Sequence, residues 1–220
     1  MKTGGNRRII AAAALSIASL STPALAQDQS VLQSVLSDPG VQQHALEVVK
    51  QSAVMVRNPC PTARFALTGK GTVYIALERD ASGAIVKGAW KQEVLENGCG
   101  VTRTLNVLGV VQGPKKLGVA ALLPGTTRAG PQLQKDAVKF AVASAGGPEK
   151  NCNVGYVENT ELVKLDGAPV AGASSPPWQE VWTLVSCTRR AHVSMRFTPE
   201  SGGTQIVAGP TKVEPIQAKK

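Results

Sequence analysis

Aromatic side chains are scarce in this chain: three tryptophans, two tyrosines and three phenylalanines among 220 residues. They are not interleaved with basic residues, so the stacking platforms that hold single-stranded nucleic acid are missing, and nucleic acid is set aside as a partner. Histidine is scarcer still. His44 and His192 are the whole supply, which leaves little general-base chemistry to draw on. No nucleophile elbow, S-x-x-K site, H-E-x-x-H zinc site or phosphate-binding P-loop occurs. Acidic pairs stand at Glu93/Glu96 and Glu158/Glu161, but they read as solvated charges, as does His44 among polar helix neighbours. Nothing asks for a cofactor, and the expectation is a protein that is not an enzyme.

Long apolar runs are missing too. The stretch from Ile9 to Leu20 falls short of the roughly 20 residues that span a bilayer. It follows Lys2, Arg7 and Arg8 and precedes Ala24-Leu25-Ala26. A positive start, an apolar middle and a small-x-small end mark residues 1–26 as a signal peptide, cut at Ala26-Gln27. No cysteine follows the cut, so no lipid anchor is expected, and the exported chain should be periplasmic or secreted, without a transmembrane segment. The formal charge is +9, and three of the basic residues leave with the signal. The remaining excess would favour an acidic envelope protein or an anionic lipid head group as partner.

Four cysteines remain: Cys60, Cys99, Cys152 and Cys187. An even number behind a signal peptide reads as disulfides. Structural zinc wants close ligand pairs of the C-x₂-C kind, and no two of these are close, so no metal site is expected.

An internal repeat organises the rest. At an offset of 92, Pro39, Gln42, Ala45, Ser52, Ala53 and Cys60 meet the identical Pro131, Gln134, Ala137, Ser144, Ala145 and Cys152. The apolar positions between them recur with the period of one helix face, Val41 with Leu133, Leu46 with Val138 and Val49 with Ala141. At an offset of 88, Trp90 meets Trp178 and Cys99 meets Cys187. Strand phase agrees. Ala191, Val193, Met195 and Phe197 alternate with polar residues, and Leu105 and Val107 fall in the same phase in the first copy; a slip of one residue would invert every face.

The predicted fold is therefore α+β and a tandem duplication, each unit one helix packed on an antiparallel sheet and closed by one disulfide. The alternative is a single pseudo-symmetric domain with a merged sheet. Residues 27–37 form a leading segment with room for a short helix, 38–124 the first unit, 130–209 the second, and 210–220 a disordered polar tail. Strands are predicted near 64–68, 72–79, 85–96, 102–111 and 117–123, then near 153–164, 178–186, 188–198 and 204–208. Four cysteines allow three pairings, and the repeat selects Cys60 with Cys99 and Cys152 with Cys187. Closing loops of this length contributes about 4 kcal/mol each in the chain-entropy model, which matters for units with small cores.

The stretches "WQEVWTLVSC…VSMRFTPESGGT" and "ALLPGTTRAGPQLQKDAV" resemble exported, uncharacterised proteins of Gram-negative alphaproteobacteria. Those share a W-T-V…C…F-T-P pattern, an L-P-G-T-T stretch and a D-P-x-x-Q-x-D-A helix start. Here the second helix starts Gly130-Pro131, while the first keeps Asp38-Pro39. The resemblance implies an envelope location and brings no activity and no site residues.

Two candidate surfaces remain. Arg190, His192 and Arg196 fall on the polar face of one strand where the first unit has Thr102, Thr104 and Leu108, a candidate strip for an anionic ligand. Trp178 and Trp182 are candidates for stacking on a ligand, although a repeated tryptophan beside a disulfide also describes a packed core. The expected function is a non-catalytic binding or assembly-stabilising module. The alternative is a carrier of a lipid or other apolar ligand held between helix and sheet.

Overall fold

The computed structural model describes residues 24–114, 116–150, 152, 155–167 and 175–216. The predicted signal peptide therefore lies almost wholly outside the described residues, as do residues 153 and 154 of a predicted strand. The chain is α+β. Helix α1 (Ala24–Leu36), α2 (Pro39–Lys50) and α3 (Ala53–Arg57) precede the strands β1 (Arg64–Arg79), β2 (Ile85–Gly98), β3 (Val101–Gln112) and β4 (Leu117–Ala121). Helix α4 (Pro131–Ser144) then precedes β5 (Tyr156–Leu165), β6 (Trp178–Val185), β7 (Arg189–Glu200) and β8 (Gly203–Pro215). Each set of four strands is one antiparallel sheet in chain order.

The two repeated helices begin alike. Pro39 and Pro131 open α2 and α4, where a missing N–H costs nothing. Asp38 caps α2, its Oδ1 accepting from the Val41 backbone N–H at 3.0 Å, whereas Gly130 has no side chain to do so. The repeated glutamines supply a second tie. Gln42 Nε2 donates to the carbonyl of Leu36 (2.9 Å), and Gln134 Nε2 to that of Ala129 (2.8 Å), so each pins the chain that enters its helix. Ala45 and Val49 of α2 and Ala137 and Ala141 of α4 are buried. Helix α2 packs on β2, β3 and β4, and α4 on β6, β7 and β8.

The central hairpins share one register. Trp90, Gln92, Val94 and Glu96 of β2 face Gly109, Val107, Leu105 and Arg103 of β3. In the second sheet Trp178, Glu180, Trp182 and Leu184 face Phe197, Met195, Val193 and Ala191. Every pair of the second hairpin matches a pair of the first at an offset of 88. Each sheet is closed by a disulfide, Cys60–Cys99 and Cys152–Cys187, with Cα atoms 5.9 and 5.8 Å apart. These are the pairings expected from the repeat.

Four features differ from the sequence reading. The first unit carries three helices, because the leading segment folds as α1 and buries Leu32, Val35 and Leu36 on Trp90, Leu77 and Val111, and because α3 follows α2. The strands predicted at 64–68 and 72–79 are one strand, β1, whose register shifts between Leu67 and Gly71 where α1 crosses it. The tail expected to be disordered is strand as far as Pro215. Lys212 and Glu214 pair with His192 and Arg190 on the polar face of β7, so alternating charges that look like a solvated tail are an edge strand. Residues 217–220 lie outside the described residues.

The fourth concerns the joint. The sheets do not merge, but the segment from Leu122 to Thr126 bonds to both. Leu122 and Gly125 donate to the carbonyls of Asn106 and Thr104 on β3 (2.9 and 2.8 Å). Thr126 donates to Thr160 of β5 (2.7 Å), and Thr160 donates back to Pro124 (3.0 Å). A side chain at Gly125 would put its Cβ 2.0 Å from the Thr160 carbonyl oxygen, so only glycine lets the strands approach this closely.

Candidate functional site

Strand alternation places Ala191, Val193, Met195 and Phe197 of β7 in the core and leaves Arg190, His192 and Arg196 on the other face. Each of the three faces a carboxylate. Arg190 makes two hydrogen bonds to Glu158 (2.9 and 3.0 Å), which hold its guanidinium above its already high ordinary pKa. His192 lies 3.2 Å from the Thr183 hydroxyl and 3.8 Å from Glu214, and Arg196 3.8 Å from Asp166. Asp166 is held below the usual carboxylate range by hydrogen bonds from Lys164 and then Gln179, and Glu214 by its bond to Lys212. On this face three carboxylates thus stand against four cations and His192.

Trp178 and Trp182 are core residues, 5% and 0% exposed. The Trp178 ring stacks on Phe197 with centroids 4.9 Å apart, and the Arg128 guanidinium lies 5.6 Å from its centre. Neither indole presents an open face to a ligand. Their N–H groups turn instead to Glu180, which stands between them on the inward side of β6 and is 1% exposed. Its Oε1 accepts from Trp178 Nε1 and the backbone N–H of Arg128 (both 2.8 Å), and its Oε2 from Trp182 Nε1 (2.6 Å). All three partners are donors, a pattern that a carboxylate satisfies and an amide does not.

In the first unit Gln92 takes the place of Glu180, and the buried charge moves along the strand to Glu96. Glu96 is 0% exposed and faces Arg103, with Nε and Oε2 2.6 Å apart. The two are close enough for an ion pair, but their atoms are not aligned for a hydrogen bond. Glu96 is thus no solvated charge. Strand parity with Trp90 and Val94 already points it inward, as parity with the tryptophans does for Glu180.

The second unit holds an apolar cavity of about 270 Å³ between the C-terminal end of α4 and the sheet. Val138, Gly147, Val157, Leu184 and Ala191 form its wall, with Glu149, Ser186 and Arg189 at one side. The polar groups there are engaged with one another. Glu149 accepts from the Ser186 hydroxyl (2.5 Å) and from the Thr188 hydroxyl, and Arg189 donates to the Gly147 carbonyl (2.7 Å). At three matching positions the first unit has larger side chains, Met55 for Gly147, Phe65 for Val157 and Arg103 for Ala191, and at a fourth the charged Glu96 replaces Leu184. Helix α3 buries Val54 and Met55 in that unit's core, whereas α4 stops at Gly146-Gly147.

A second hollow, about 420 Å³, lies between the units. It is bounded by α2 and α3, by β3, by the joint and by α4, and is mostly apolar. Among the described residues no group of three or more His, Cys, Asp or Glu side chains is arranged to hold a metal, and no helix is long and apolar enough to cross a membrane. The chain matches no known family model, no curated protein and no solved structure.

Proposed function

We propose that this is a non-catalytic binding protein of an oxidising compartment outside the cytoplasm, made by duplication of one helix-on-sheet unit, and that the second unit is the one that binds. The two disulfides support the compartment. The shared hairpin register and the matching helix faces support the duplication. One observation carries the function: the hollow of the second unit is the more enclosed and has the larger apolar wall, whereas at the equivalent positions of the first unit Met55 and Phe65 border only a shallow, open depression.

Size narrows the ligand. An engineered cavity of about 150 Å³ binds benzene, while sites for drug-sized ligands start at roughly 300 Å³. At about 270 Å³ the cavity suits a small aromatic molecule or one short alkyl chain, and it does not hold a two-chain lipid. Titration with the apolar fluorophore N-phenylnaphthylamine should show one site per chain. Val157→Phe, which copies Phe65, should abolish that binding while leaving the fold intact by circular dichroism, and Ala191→Val should weaken it. Binding that survives both changes would place the probe elsewhere and refute the reading.

A further inference from the structure

We infer that the ligand of this protein is an uncharged single-chain molecule ending in a hydrogen-bond donor, and that the donor meets Asn106 in the hollow between the units. The inference rests on the apolar binding proposed above and concerns the ligand's polar end.

Asn106 is 1% exposed and lines the hollow between the units. Its Nδ2 donates to the carbonyls of Leu123 (2.8 Å) and Gly125 (2.9 Å). Two carbonyl acceptors on one side fix the orientation of the amide, because the flipped amide would set oxygen against oxygen. Oδ1 is therefore committed to the other side, and there it is buried with no hydrogen-bond partner among the described residues. A buried acceptor left unmatched is costly, and native proteins rarely keep one without a reason. The other polar side chains at that depth are already engaged. Gln134 bonds to Leu123 and Ala129 through both ends of its amide, and the Ser52 hydroxyl donates to Val49. The residues around the hollow thus include one fully buried, unused acceptor in an apolar setting.

Val138, Gly155, Tyr156 and Val157 line this hollow and also the cavity of the second unit. A chain anchored at Asn106 therefore has apolar space along the same wall, toward the end of α4. An alcohol or primary amide has the required donor. An ether lacks it, and a carboxylate brings only acceptors and a charge that burial penalises. The cation at the lip of the hollow, Lys135, is the group that would favour a carboxylate instead.

Calorimetric titration of the exported protein with 1-octanol, octyl methyl ether and octanoate separates these cases. The alcohol should bind at least about fivefold more tightly than the ether, the equivalent of about 1 kcal/mol for one net hydrogen bond, and octanoate should bind more weakly than both. Asn106→Leu should erase the gap between alcohol and ether; if that variant does not fold, the ratio in the unaltered protein decides. Equal binding of alcohol and ether would overturn the role of Asn106 and leave the apolar site standing, with water satisfying the amide. Tighter binding of octanoate would hand recognition to Lys135 and also overturn it. Binding of none of the three would remove the apolar reading itself.

Discussion

Replacing Glu180 by glutamine copies the residue that the first unit has at the same place, Gln92, and keeps the shape of the side chain. The carboxylate receives three N–H groups on two oxygens, from Trp178, Trp182 and Arg128. An amide offers one oxygen and one NH₂, so at least one donor would face another donor in the core. Two terms compete. Hydrogen bonds to a charged group are worth about 1.5–3 kcal/mol each, and an orphaned buried donor costs about 1–3 kcal/mol. Against this, glutamine avoids burying a charge, a saving reduced by the donors already gathered around it. The hydrogen bonds should win, with a net loss of about 2 kcal/mol. At roughly 2–4 °C per kcal/mol for a chain of this size, thermal unfolding should shift down by about 4–8 °C. The reciprocal change, Gln92→Glu, should cost more, about 3 kcal/mol or beyond, because Val94 stands where Trp182 supplies a donor. Differential scanning calorimetry of the two single variants measures both. An unchanged or raised melting temperature for Glu180→Gln would mean that desolvation of the charge outweighs its hydrogen bonds, and the account of this core would fall.

Two further perturbations test the packing and the charge network. Gly109 lies under Trp90, and a Cβ there would come within 2.4 Å of the indole ring. Gly109→Ala should cost about 1–3 kcal/mol in overpacking, offset by about 0.5–1 kcal/mol of backbone entropy, with a red shift in tryptophan emission as Trp90 is displaced toward α1; unaltered stability and emission would show that the ring has room to move. Glu149 has its carboxyl held below its ordinary value of 4.5 by the hydroxyls of Ser186 and Thr188. A depressed folded pKa means that this stabilisation is complete above the unfolded value and is lost as pH falls through the folded one. Glu149→Gln should therefore lower the melting temperature at pH 7 and make it less dependent on pH below about 4.5, whereas an acid limb identical to that of the parent protein would contradict the assignment.

Periodicity and identity were enough to place the repeated helices, the phase of the strands and the cysteine pairs. These are properties of neighbours along the chain, and two stretches of like pattern fold alike here. A helix start written as Pro-x-x-Gln, or a strand that alternates Ala191, Val193, Met195 and Phe197 with polar residues, carries its own geometry. Polar residues were another matter. Glu96 and the end of β8 look like solvated charge, and nothing in the sequence marks what Glu180 bonds to, because a side chain's own polarity does not reveal its partner. Only the fold brings Arg103 across from Glu96, two indoles and the Arg128 backbone onto Glu180, and β7 alongside Lys212 and Glu214. The cavity belongs to the same class. Gly147, Val157 and Ala191 are ordinary small residues in the sequence, and it took the tertiary structure to show that all three line one hollow, because empty volume is set by what surrounds a residue rather than by the residue itself.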